Sequence, residues 1–456
     1  MKQEQVQPLN LSQQILFSLG QFGWSLSLFC VSSLMTYFYL PPRETSGGAI
    51  FEPTLYQGTV LGVFTLIGLI TFGGRFFDAI TDPWVANLSD RSKSKYGRRN
   101  FFLRVSSVPV ALLGVLVFTP PIAEVHPFNF GFVIVITLLY YFFITMYCTP
   151  FNALICEYGH TAAQRLNLAT LVSITWALGF MVGNQVYLLQ DLVLKNYPSL
   201  TSAQAFQAIM LGFQFLAMIA MLIPAFFINE RSHAKATSSD EPLLESVKTT
   251  LSNLNFRKFL IFDFTYWLSV SFIQLGISYY VLGLLGHEKS MVSMMMTALF
   301  LLSFAFYIPV NLFAKKFSKK ATLNIAFIVF LLDFLTICCL GVLPFSTNIQ
   351  VILVVVLGAL PMAVFGIIPT AVVADLADED CQRSQTSRAG MFFATRTFIM
   401  KLGVSLANLV FPSLLVLGGG ADQPFAIRLT ALAAILFCAL GLYFSRSFKE
   451  VILDES

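Results

Sequence analysis

Long apolar runs recur along the whole sequence, separated by short polar stretches, and no other feature restricts the fold so tightly. A helix needs about 20 consecutive apolar residues to cross the hydrocarbon of a bilayer, where backbone N–H and C=O groups must be satisfied within their own segment. Runs of that kind lie near 14–41, 57–88, 101–119, 129–156, 164–190, 204–228, 258–284, 291–314, 321–344, 349–376, 389–417 and 425–445. The composition agrees, with 56% hydrophobic and 11% charged residues where a soluble domain carries roughly 25% charged. The expectation is an all-α membrane protein with twelve transmembrane helices. The polar start, Met1 to Gln14, lacks the charged region, short apolar stretch and small-residue cleavage site of a secretory leader, so the first run is expected to remain as a helix.

Basic residues alternate between loops in a way that sets orientation. Arg91, Lys93, Lys95, Arg98, Arg99, Lys315, Lys316, Lys319 and Lys320 fall in even-numbered loops, against Arg43, Lys195 and Lys289 on the opposite side. Excess Lys and Arg on short loops marks the cytoplasmic face, so both termini are expected in the cytoplasm, of a chain in the inner or plasma membrane. The net charge of +4 is small and its basic clusters serve orientation, which argues against a nucleic-acid partner. Lipid is the expected surroundings, and a monomer the expected state.

The longest polar interruption separates two six-helix halves, 1–228 and 257–456, with 229–256 as a cytoplasmic linker. Leu244, Val247, Leu251 and Leu254 repeat at helical spacing beside Glu245 and Lys248, which suits a short amphipathic surface helix. A faint repeat supports the halves. Asn87-Leu88 precedes a basic cluster after span two, and Asn311-Leu312 precedes Lys315, Lys316, Lys319 and Lys320 after span eight. Two similar six-helix units suggest, by analogy of fold, the pseudo-symmetric bundles of the major facilitator architecture.

Span two holds the chemistry. In Gly74-Arg75-Phe76-Phe77-Asp78-Ala79-Ile80-Thr81-Asp82-Pro83 a helix puts Asp78 and Asp82 on one face, with Arg75 a turn earlier and Thr81 beside them. A charge at mid-membrane costs about 2.5–3.5 kcal/mol on insertion scales, and two carboxylates about 6 Å apart also repel. A bound cation or a proton compensates, which makes the pair a coupling site; sodium would take carboxylate and hydroxyl oxygens. The alternative is a structural network in which Arg75 neutralises Asp78 while Asp82 lies near the headgroups. The following loop, Ser89 to Arg99, reads either as a positive-inside anchor or as gate ion pairs in which Asp90, Arg91, Arg98 and Arg99 link the cytoplasmic helix ends. Asp375 and Asp378, after span ten, are expected to pair with Arg383 or Arg388 at the same gate.

Polar and aromatic residues inside other spans are candidates for substrate contact or for packing: Gln21, Trp24 and Ser25 in span one, Asn152 in span four, Trp176 and Asn184 in span five, Tyr266 and Trp267 in span seven. Asp263, Asp333, Arg396 and Lys401 are further intramembrane charges, functional candidates by default. Lys401 needs a counter-charge, for which the span-two acids are candidates, or else snorkels to an interface. The sequence has no phosphate-cradling GxxxxGK[ST] loop, no HExxH and no GxSxG, and its seven cysteines form no CxxC, so an ATP-driven pump, an enzyme and a resident metal or cofactor are not expected.

Gly-Arg-x-x-Asp-Ala-x-x-Asp-Pro followed by Ser-Asp-Arg-x-x-Ser-x-x-Gly-Arg-Arg, over about 75–100, resembles the glycoside-pentoside-hexuronide:cation symporters, typified by the melibiose permeases. Pro150-Phe151-Asn152-Ala153-Leu154 and Val373-Ala374-Asp375-Leu376-Ala377-Asp378 extend the resemblance. It implies a symporter importing a small solute such as a sugar or glycoside by alternating access, driven by sodium or protons. It assigns Asp78 and Asp82 as cation-binding acids, Thr81 and Thr145 as further ligands, and Lys401 as the span-eleven lysine that approaches them. The sequence departs from the sugar-transporting pattern where two acids are expected, at Ser25 and Cys148. Relatives resembling sodium-dependent lysophosphatidylcholine symporters share the span-two pattern, so an amphipathic lipid is the alternative cargo.

Overall fold

In a computed structural model, residues 7–42, 50–60, 62–234, 251–384 and 389–450 are described. The first half comprises α1 (Leu11–Tyr39), β1 (Thr59–Val60), β2 (Phe64–Thr65), α2 (Leu66–Asp90), α3 (Asn100–Leu116), α4 (Pro127–Tyr158), α5 (Ala162–Gly183), α6 (Val186–Asn196), α7 (Ser202–Phe227) and α8 (Glu230–His233). Then come α9 (Leu254–Tyr279), a π turn (Tyr280–Leu284), α10 (Lys289–Lys316), α11 (Lys319–Cys338), α12 (Thr347–Ser384), α13 (Ala389–Leu417) and α14 (Pro424–Ser447). Side-chain caps start several helices. Asn10 and Gln13 form a reciprocal capping box at α1, Thr161 and Gln164 do so at α5, and Thr201 and Gln204 at α7.

Ten segments among the described residues are long and apolar enough to cross a membrane: α1, α4, the α5–α6 stretch, α7 and α9 to α14. Two more helices complete the twelve. α2 has 25 residues but carries Arg75, Asp78, Asp82 and Asp90, and α3 has 17 residues. The protein is thus an all-α, integral multi-pass membrane protein.

The chain forms two compact units, Met1–Pro41 with Ala49–Gly58 and Leu69–Ser239, and Pro42–Gly48 with Thr59–Gly68 and Asp240–Ser456. In the first unit α1 packs on α5 and α7, and α3 on α4 and α7. In the second, α9 packs on α13 and α14, and α11 on α12 and α14. These are the same pairings six spans later, so each apolar face is buried by the equivalent partner. The β1–β2 hairpin belongs to the second unit, where β2 packs on α13 and the Thr65 N–H donates to Ser413 Oγ at 3.3 Å.

Some expected spans have different edges. Span two starts at Leu66 rather than 57, because Thr59 pairs with Thr65 and Val60 with Phe64 across a turn in which Gly62 has φ of +74°. Span five breaks at Asn184, whose side-chain amide donates to the Phe180 carbonyl at 3.0 Å; the helix resumes at Val186. Of the expected amphipathic linker helix, Leu244 and Val247 lie outside the described residues.

Candidate functional site

The aspartate pair on α2 faces α4. Gly74 makes this approach possible, since a Cβ there would stand 2.5 Å from the Tyr141 ring and 2.9 Å from Thr137 Cγ2. One turn further along α2, the Thr145 hydroxyl donates to Asp78 Oδ1, with the Tyr141 carbonyl as a second acceptor at 2.8 Å. One more turn along, the Thr149 hydroxyl donates to Asp82 Oδ1 at 2.9 Å. Two carboxylates at i and i+4 therefore meet two hydroxyls at i and i+4, a ladder that follows from the shared helical period. Asp78 is 4% exposed and Asp82 half-buried.

Arg75 does not lock this pair. Its Nη2 donates to Ser32 Oγ on α1 at 2.9 Å and its guanidinium lies 5.4 Å from the centre of the Tyr141 ring, while its contact with Asp78 is 3.9 Å long. At that length the pair attracts without a hydrogen bond between the two groups. Thr81 is buried, and its proton goes to its own helix, with the Phe77 carbonyl at 2.9 Å and the Asp78 carbonyl at 3.1 Å. Among the described residues its oxygen accepts no hydrogen bond. Lys401 lies half-buried on α13 in the second unit.

Of the expected gate residues, Asp90, Arg98 and Arg99 meet in the first unit, where α2 and α4 end and α3 begins. Arg99 joins Asp90 at 2.8 Å through Nη2 and Glu157 at 2.8 Å through Nε, while Arg98 reaches the same Glu157 oxygen at 2.5 Å. Glu157, at the end of α4, is 1% exposed. Arg91 and Asp378 are exposed, and Arg388 lies outside the described residues. Glu230 accepts from the backbone N–H of Arg98 and Arg99 and, at 2.7 Å, from that of Asn100, so it caps α3. Burial pushes the Glu230 carboxyl above the usual glutamate value, against the N–H donors of Asn100 and Arg99, which favour its charged form. A cavity of about 400 Å³ opens here, lined by Lys93, Arg98, Glu157, Glu230 and Arg231 among others; it holds none of the α2 pair.

Asp375 pairs with Lys319 at 2.5 Å, because α12 packs along α11 and brings the two together; the side chains of Arg383 and Arg388, its expected partners, lie outside the described residues. Glu450 then accepts from the Lys319 N–H at 2.7 Å and the Lys320 N–H at 3.2 Å. Glu450 thus repeats at α11 what Glu230 does at α3. Arg396, unassigned by sequence, holds Asp263 through Nε at 3.1 Å and Nη2 at 3.3 Å, and Thr370 through Nη1 at 3.1 Å.

The candidate substrate contacts divide. Ser25 is fully buried against α5, where a Cβ on Gly179 would overlap its hydroxyl, and its Oγ donates to the Phe22 carbonyl. Gln21 is buried, and one face of Tyr266 is covered by Phe365 at 3.8 Å. Trp24, Cys148 and Trp176 are half-buried, Trp176 against Phe180 at 4.4 Å, and Asn152 is exposed. Sequence reasoning missed Thr149, Glu157, Glu230 and Glu450. Only Thr149 left a local signal, its four-residue spacing from Thr145.

Residues 23–443 match the family model described as MFS/sugar transport protein. The chain belongs to that family. Among curated relatives of this MFS protein, "Uncharacterized symporter YnaJ" of Bacillus subtilis (strain 168) is 25% identical over 176 residues, 38% of this chain and 33% of that one. "Putative glycoside/cation symporter YagG" of Escherichia coli (strain K12) is 28% identical over 147 residues, 31% of this chain and 27% of that one. The matched stretches thus span about a third or less of these relatives' length. Among solved structures, nucleoside transporter NupG superposes with a TM-score of 0.66 at 14% identity, covering 96% of this chain and 98% of that one. The xylose transporter XylE from E. coli gives a TM-score of 0.61 at 10% identity, with 94% and 96% covered. At such identities these likenesses show the MFS fold alone.

Proposed function

We propose that this MFS protein is a cation-coupled symporter that imports a small polar solute, a sugar or glycoside, with Asp78 and Asp82 as the ion site. One observation carries the reading: the two acids face the hydroxyls of Thr145 and Thr149, while Arg75 spends its close hydrogen bond on Ser32. Hydroxyl and carboxylate oxygens gathered this way suit a sodium ion or a proton. The ion relieves the mutual repulsion of the carboxylates, so its arrival favours the state in which solute also binds. Solute and ion then cross together as the two units rock. A membrane potential adds about 2.3 kcal/mol per charge per 100 mV to the inward step. The glycoside cargo is supported by the name of the E. coli relative. Orientation with both termini in the cytoplasm, in the cell membrane, follows from the basic loops.

Asp78→Asn and Asp82→Asn are each expected to abolish gradient-driven accumulation of solute. Wild-type accumulation in both variants refutes the ion site. Thermal-shift screening of the purified protein against sugars, glycosides, nucleosides and lysolipids, with and without sodium, identifies the cargo. Stabilisation by lysolipids alone would overturn the glycoside assignment.

A further inference from the structure

The second unit contains an acid that the reading above does not use. Asp333, in the outer half of α11, is fully buried, and neither carboxyl oxygen has a hydrogen-bond partner among the described residues. Neighbouring groups come from α12, α14 and the π turn. From α12, Gly358 makes room for it: a Cβ there would lie 3.0 Å from Asp333 Oδ2 and 3.3 Å from Leu299 Cδ1 of α10. The titratable groups that interact with it are the Tyr280 phenol of the π turn and the Cys438 thiol of α14. Both point their protons elsewhere. The Tyr280 hydroxyl lies 3.3 Å from the Phe272 carbonyl and 3.4 Å from Thr430 Oγ1, and the Cys438 thiol donates to Ser269 Oγ at 3.3 Å. Arg428, in the first turns of α14, is engaged with the carbonyls of Cys338 and Leu340, at 3.0 Å each. No salt bridge among the described residues includes Asp333.

A carboxylate in that setting would be an isolated charge in a medium that solvates it with nothing, the costliest state a side chain can occupy in a membrane protein. The neutral acid is the form the surroundings permit. Burying a carboxyl without partners costs more than burying an apolar side chain, so packing alone does not account for an acid here. We propose that Asp333 is a proton-binding site of the second unit, whose carboxyl holds a proton that exchanges with water independently of the ion at Asp78 and Asp82. The role of this proton as a second ionic step of turnover rests on the symport reading, whereas the held proton does not.

Infrared spectra of the purified full chain at neutral pH test this without substrate or gradient. The wild type is expected to give the carbonyl stretch of a protonated carboxylic acid free of hydrogen bonds. That band should persist in Asp78→Asn/Asp82→Asn, ignore sodium, shift on transfer to heavy water and vanish in Asp333→Asn. Its absence from the wild type, its survival in Asp333→Asn, or a failure to shift in heavy water overturns the proposal. Should Asp333→Asn not fold, Asp333→Glu is expected to move the band, and an unmoved band counts against the assignment equally. Accumulation by the α2 variants would sink the symport reading and leave this spectrum unchanged, so the two failures are told apart.

Discussion

Thr149 is where a single hydroxyl has a measurable consequence. Its bond to Asp82 is charge-assisted, a class that contributes about 1.5–3 kcal/mol, and it orients one oxygen of the acid. Thr149→Val removes that bond, keeping the shape of the side chain. We expect the cation concentration that half-stabilises the purified protein to rise about tenfold, the equivalent of 1.4 kcal/mol, while Thr149→Ser stays near wild type. Equal midpoints for wild type and Thr149→Val would remove the hydroxyl from the ion site. Asp78 and Asp82 were legible because an acid pair at helical spacing stands out from lipid-facing sequence. Thr149 was not, because threonine in a helix ordinarily bonds its own backbone, as Thr81 does to Phe77.

At the scale of the element, α3 depends on a residue from another part of the chain. Its first N–H groups, which no helix can satisfy internally, go to the Glu230 carboxylate. Glu230→Ala leaves them unpartnered in a buried place, at a cost on the order of 2 kcal/mol, read as a lower thermal midpoint. The pH dependence has a definite sign. The folded carboxyl takes its proton more readily than the free side chain, whose value is 4.5. Its contribution to stability is therefore fully present below that value and declines as pH rises through the folded one. Glu230→Gln, uncharged throughout, should lose this slope, and an unchanged slope assigns it to another group. No periodicity within α3 announces this cap, since Glu230 lies 130 residues beyond Asn100. The start of α2 was similarly hidden. Thr59 to Thr65 is apolar enough to read as membrane helix, yet the chain turns at Gly62 and pairs with itself.

For the whole molecule, the repeat is deeper than the sequence suggested. Glu230 and Glu450 cap equivalent helices, and Arg99 with Glu157 corresponds to Lys319 with Asp375. Each unit thereby ties together the helix ends that the basic loops assign to the cytoplasm. Orientation is testable directly. Phosphatase fused after Phe448 should be inactive and, fused within the Val125 to Pro127 loop, active, since that enzyme works only outside the cytoplasm. The reverse pattern would invert the topology and with it the inward direction of transport.

The sequence alone determined the solvent, the number of spans, the expected orientation and the acid pair on one face of α2. All of these depend on residues within one segment, or on the sum of charges in one loop. The tertiary structure decided which groups meet: Thr149 with Asp82, Glu157 with Arg98 and Arg99, Asp263 with Arg396, Asp375 with Lys319. A helical period says which face a side chain occupies and nothing of what lies opposite. Two charges attract according to their separation in space, and packing sets that separation, whether the residues stand 3 positions apart, as Arg75 and Asp78 do, or 133, as Asp263 and Arg396 do.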